Sequence, residues 1–172
     1  SFAPMGPVTE RDIRASFVNC TKGEAKRLAV PRDLATRPWA DLDFLGWRDP
    51  AAPQRGYVVT ASGDGHVGVA LRLAAPYAGQ PRRSMCSLCL TTHPGNGVSL
   101  MTAAKAGRSG QQGNSVGLYI CADLNCSLYV RGRKQAGPGG RLHESISLAD
   151  QIERTTANLT AFLDRVRVRV VE

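Results

Sequence analysis

Four of the five cysteines stand as two close pairs, Cys86-x2-Cys89 and Cys121-x4-Cys126, with 31 residues between them. Two short-spaced thiol pairs brought to one point supply the four soft ligands of a tetrahedral structural zinc site. The competing chemistries are two disulfides or a chance cluster of buried thiols. Three features argue against disulfides. The opening stretch SFAPMGPVTE has neither the basic nor the apolar region of a secretory signal. A chain of 172 residues with 42% apolar residues can bury a core without covalent staples. Cys20 would also be left over. A reducing, cytoplasmic setting with one zinc ion and an inert Cys20 is the expectation. Four protein ligands leave the ion no open position, so the metal is expected to fold the chain and to catalyse nothing.

Charge is unevenly spread. The chain carries a net +8, and residues 82–141 hold Arg82, Arg83, Lys105, Arg108, Arg131, Arg133, Lys134 and Arg141 against the single acid Asp123. Such a field around a zinc knuckle favours an anionic partner, nucleic acid or an acidic protein face. The plainer reading is a solvated basic surface that balances four thiolates. The predicted contacts are Arg82, Arg83, Lys105, Arg108, Arg131, Arg133 and Lys134, because cationic side chains, arginine forks above all, grip phosphate and carboxylate. Tyr129, just after the last cysteine, either stacks a base or packs against the knuckle. Leu88 and Leu90 are the apolar alternative for a contact.

The elements that must position these residues follow from local pattern. Thr9 and Asp12 approximate a capping box for a first helix with Ile13 and Phe17 facing inward. A second short helix is predicted from Gly23 to Ala29, stopped by Pro31. Gly56–Thr60 and His66–Leu73 read as a hairpin joined by Ser62-Gly-Asp-Gly65. Val98–Ala104 and Ser115–Ile120 read as a second hairpin, with Gly107–Asn114 as a mobile loop. Gln135–Gly140 reads as a flexible linker. Leu148, Ile152, Leu159, Phe162, Leu163 and Val166 lie near helical spacing, predicting a last helix from about Ser147 to Arg165. Knuckle, hairpin and a second cysteine pair at a helix start make a treble clef. The expected class is therefore α+β, with small antiparallel sheets, a four-cysteine treble-clef finger and a C-terminal helix. No run of residues is long and apolar enough to cross a membrane.

Other motifs carry less. Gly63-x-Gly65-x-x-Gly68 matches a dinucleotide fingerprint as a string but falls between strands, so it reads as a hairpin turn. Asn158-Leu-Thr160 falls on the terminal helix and is a chance glycosylation match. Asp41, Asp43 and Asp49 suit turns and caps. His93 suits a hydrogen bond to a ligand better than ligation itself. Trp39, Phe44 and Trp47 read as core.

The strings Leu42–Pro50 (LDFLGWRDP), Met85-Cys-Ser-Leu-Cys89, Thr91-Thr-His93, Gly117-Leu-Tyr-Ile-Cys121 and Asp123–Arg131 (DLNCSLYVR) together resemble the FBP domain. That is the C-terminal treble-clef zinc finger of elongation factor G-binding proteins of the fusidic acid resistance type. The resemblance spans about Arg11 to Arg165. It implies a zinc-stabilised module that contacts elongation factor G or the ribosome and promotes release of the stalled factor. The family's resistance members place a helical bundle before this domain, and this chain has no room for one ahead of its front half. One domain over 1–172 is expected: a front half over about 8–80, a zinc-binding treble clef over about 82–131 and a terminal helix over about 147–166. A general module binding ribosomal RNA through residues 82–141 is the alternative. An enzyme is not expected, since no nucleophile–base pair or open metal position can be assembled, and no small-molecule substrate is expected either.

Overall fold

The computed structural model describes residues 4–75 and 83–167. Arg82, one of the expected contacts, lies outside them. Two capping boxes open the chain. Thr9 and Asp12 bracket α1 (Glu10–Ser16), and Thr21 and Glu24 bracket α2 (Lys22–Arg27). In each, a threonine hydroxyl accepts from the third helical N–H while the acid accepts from the threonine N–H, satisfying two otherwise orphaned donors.

Seven strands follow among the described residues. The five-stranded antiparallel sheet has the order β1 (Leu45–Arg48), β2 (Arg55–Ser62), β3 (Gly65–Leu73), β6 (Val98–Ala104), β7 (Ser115–Cys121). The β2–β3 turn sits at Gly63 and Asp64, where Gly63 takes a positive φ of 57°. The glycine string is thus a hairpin. β4 (Arg83–Met85) and β5 (Thr92–Pro94) form a separate two-stranded ribbon around the first cysteine pair. β1, β4 and β5 were not legible as strands, because three or four residues carry too little alternation.

The sheet has two differently covered faces. Val58, Val69, Leu71, Met101 and Ile120 pack with Leu159, Phe162, Leu163 and Val166 of α5 (Leu148–Arg167). Val59 and Tyr57 pack with Ile13, Trp39, Leu42 and Trp47 beneath α1 and α2. The tryptophans and Phe44 are core, as expected, and each indole N–H finds a backbone carbonyl, Leu34 for Trp39 and Ala29 for Trp47.

Two loop expectations change. Within Gly107–Asn114, Arg108–Gln111 form a short helix, α3. Gln135–Gly140 is tied down: Thr92 N–H donates to Gly140 O at 2.8 Å and Arg83 Nη2 to Pro138 O at 2.6 Å.

Candidate metal centre

The β6–β7 hairpin ends with Val98 opposite Cys121. The chain then turns through Leu124 and enters α4 (Cys126–Val130), whose first residue is the fourth cysteine. The β4–β5 ribbon holds Cys86 and Cys89 against that end of the hairpin. Cys86 N–H donates to Thr91 O and Leu90 N–H to Cys86 O, which closes the knuckle. Leu88 and Cys89 N–H groups point at Cys86 Sγ, at 3.3 and 3.5 Å.

All four Sγ atoms lie within 4.8 Å of one another and all four cysteines are buried. The Cys86–Cys126 and Cys89–Cys121 sulfurs are each 3.6 Å apart. Sulfurs at about 2.3 Å from one tetrahedral ion stand roughly 3.8 Å apart, whereas a disulfide needs about 2.05 Å. The donor set therefore fits one structural zinc, which supplies the charge that allows four buried thiolates to coexist. Without that charge the thiols cannot all ionise. Hydrogen bonds with Cys121, then Cys126, hold Cys89 low, while the bond with Cys121 and burial push Cys126 up.

The surroundings suit thiolates. Arg141 Nη1 donates to Cys89 O at 2.7 Å and to Thr91 Oγ1 at 2.9 Å, leaving the Thr91 hydroxyl proton for Cys89 Sγ, 3.1 Å away. His93 Nε2 lies 3.2 Å from Cys121 Sγ. Burial lowers the His93 pKa and so favours the neutral imidazole, whose Nε2–H tautomer would donate to a zinc-bound thiolate. Gly97 makes room for it, since a Cβ there would stand 2.3 Å from His93 Cβ. Among the described residues, the two non-glycine positions with positive φ are Leu90 at 61° and Leu124 at 59°, one in each cysteine turn. Each costs about 1–2 kcal/mol, which coordination offsets. β1 crosses the second turn so closely that a Cβ on Gly46 would meet Leu124 Cβ at 2.6 Å. The centre is therefore built into the main core.

The expected contact residues scatter. Arg131 forks onto Asp43, with side chains only 11% and 6% exposed. Tyr129 is buried, donates to Asp123 Oδ2 at 2.6 Å and meets His93 edge-on, so it packs against the knuckle and offers no stacking face. Lys134 pairs with Asp123 at 2.7 Å, and Arg133 faces Asp41 at 3.6 Å from an exposed position. Lys105 and Arg108 sit at the hairpin end away from the cysteines, about 20 Å of strand distant, so they share no surface with the knuckle. Leu88 is fully buried. The exposed apolar residues beside the knuckle are Met85 and Tyr119, 52% and 56% exposed, and strand spacing alone does not single them out.

A 63-residue stretch is 40% identical to the tRNA N6-adenosine threonylcarbamoyltransferase of Paracoccus denitrificans (strain Pd 1222), covering 37% of this chain and 16% of that protein. A match to so small a part of an enzyme does not bring its reaction with it. The structure of the fusidic acid resistance protein FusC aligns over 84% of this chain and 53% of that one, at 16% identity and a TM-score of 0.48. This chain therefore spans less than two thirds of either relative. Residues 12–166, which contain both cysteine pairs, the hairpin between them and most of α5, match the FBP C-terminal treble-clef zinc-finger family, and the chain belongs to that family.

Proposed function

We propose that residues 1–172 act as one zinc-built, cytoplasmic binding module that contacts elongation factor G, the ribosome or both, and promotes release of the stalled factor. Family membership over residues 12–166 carries this reading. A saturated, buried four-cysteine centre supports a scaffold role for the metal, without catalysis. The contact we assign is the outer face of the knuckle. Arg83 and Met85 alternate onto one side of β4, and Tyr119 joins them because its carbonyl accepts from Ser87 N–H at 2.8 Å. An exposed aromatic, a methionine and an arginine on a rigid support are the residue types that anchor protein interfaces. The alternative, ribosomal RNA gripped by residues 82–141, loses ground because Arg131 and Tyr129 are taken up within the fold.

A capture experiment from bacterial extract, with and without nuclease, tests the reading. Elongation factor G retained after nuclease, and lost with Met85→Ala/Tyr119→Ala at unchanged zinc content, is the expected result. Recovery of ribosomal RNA alone would overturn it.

A further inference from the structure

A second concavity opens at the other end of the sheet. Toward this end β3 and β6 last pair at Arg72↔Thr102 and then part. Where Ala70 and Ala104 would be the next hydrogen-bonded partners, the Asn19 carboxamide stands between them. It donates to Ala70 O at 2.9 Å and Ala104 O at 3.1 Å and accepts from Ala70 N–H at 2.8 Å. The backbone of Phe17 and Val18 runs beside Gly68, so the segment after α1 takes the place of a strand. The split leaves a cleft of about 610 Å³, the size of a small-ligand or nucleotide site.

Three exposed arginines from three elements surround it: Arg27 of α2, Arg55 of β2 and Arg72 of β3. Arg55 and Arg72 are direct cross-strand partners, an arrangement in which like charges repel. None of the three forms an ion pair among the described residues, whereas Arg14, Arg37, Arg131, Arg133, Lys134, Arg141 and Arg154 all do. The two acids on the wall are engaged locally, Glu24 in its capping box and Asp49 with Ala51 N–H. Three guanidinium groups without a carboxylate partner, two of them side by side on neighbouring strands, make a cationic rim that attracts an anion.

We propose that this cleft is a binding site for the phosphodiester backbone of a single-stranded nucleic acid, held by Arg27, Arg55 and Arg72. The site is independent of the knuckle face and of the elongation-factor reading. A flexible strand can lay successive phosphates against donors carried by three separate elements. A folded acidic protein presents its carboxylates on a convex surface, and a duplex holds its phosphates on a rigid cylinder too wide to enter. The net charge of +8 adds long-range attraction for a polyanion.

Fluorescence anisotropy with a labelled oligouridylate of about ten nucleotides tests the site, with the matching deoxy-oligomer telling RNA from DNA. Arg55→Ala/Arg72→Ala should weaken binding roughly tenfold at low salt and flatten the salt dependence by about 0.7 per lost phosphate contact. Arg165→Ala, on the last turn of α5, should change it less than about twofold. Because the two arginines repel, the double variant should melt at the same temperature or higher. Wild-type affinity in the double variant, an equal loss in Arg165→Ala, or equal competition by an oligoglutamate of the same charge would each overturn the proposal. A melting temperature that falls along with binding in both Arg72→Ala and Arg72→Gln would assign the arginines a structural role and would also overturn it.

Discussion

Arg131 and Asp43, 88 residues apart in sequence, meet in a two-pronged ion pair with both nitrogen–oxygen distances at 2.7 Å. The pair joins the finger to the front half, since Arg131 closes α4 and Asp43 leads into β1. Ser127 of α4 adds to the joint by accepting from Asp43 N–H at 3.1 Å. Breaking such a buried pair strands a charge. Arg131→Ala should cost about 3–5 kcal/mol in urea unfolding, and Asp43→Ala a similar amount. The double variant should cost less than the two single changes together. Arg131→Glu should not fold, because it sets two carboxylates against each other.

Zinc removal should abolish the cooperative thermal transition of the whole chain. The four cysteines share one core cluster with β3, β6, β7 and α5, so loss of the ion exposes that core. Elemental analysis should find one zinc per chain in reduced protein, and Cys86→Ser or Cys121→Ser should abolish stoichiometric binding. Cys20, outside the cluster, should tolerate serine with little change.

Asn19→Ala should cost about 1–3 kcal/mol by leaving three backbone groups without their partner. Hydrogen exchange should quicken at Ala70 N–H, which donates to the Asn19 side chain. Asn19→Asp keeps that acceptor but loses both donors, so it should protect Ala70 N–H while still lowering the unfolding midpoint.

Glu144 supplies an acid limb to stability. Its pKa lies below the usual glutamate range, chiefly through the hydrogen bonds from Arg154 at 2.8 Å, with the charges of Arg154 and Arg141 adding to them. A depressed carboxyl contributes stability that is present above the unfolded value of about 4.3 and is lost as pH falls through the folded one. Urea midpoints followed from pH 6 downward should fall less steeply in Glu144→Gln than in the parent.

What the sequence by itself determined is what a few neighbouring residues decide. Cysteine spacing specifies the ligands, the Thr9–Asp12 pair specifies the start of α1, and Gly63 specifies the first hairpin turn. Helical spacing of Leu159, Phe162, Leu163 and Val166 specifies the buried face of α5. Each is a contact within a turn or an element, so its energetics are written in the local order of residues. Tertiary structure alone decided which charges stay free. Arg131 and Arg55 are the same residue type, yet one meets Asp43 across 88 residues while the other faces a cleft. It likewise decided that Tyr129 turns inward to Asp123 and His93 while Tyr119 stays in solvent, and that Asn19 stands in for a strand at Ala70 and Ala104. Such pairings depend on how the chain closes over long separations, and no spacing rule within a segment encodes the partner that will arrive.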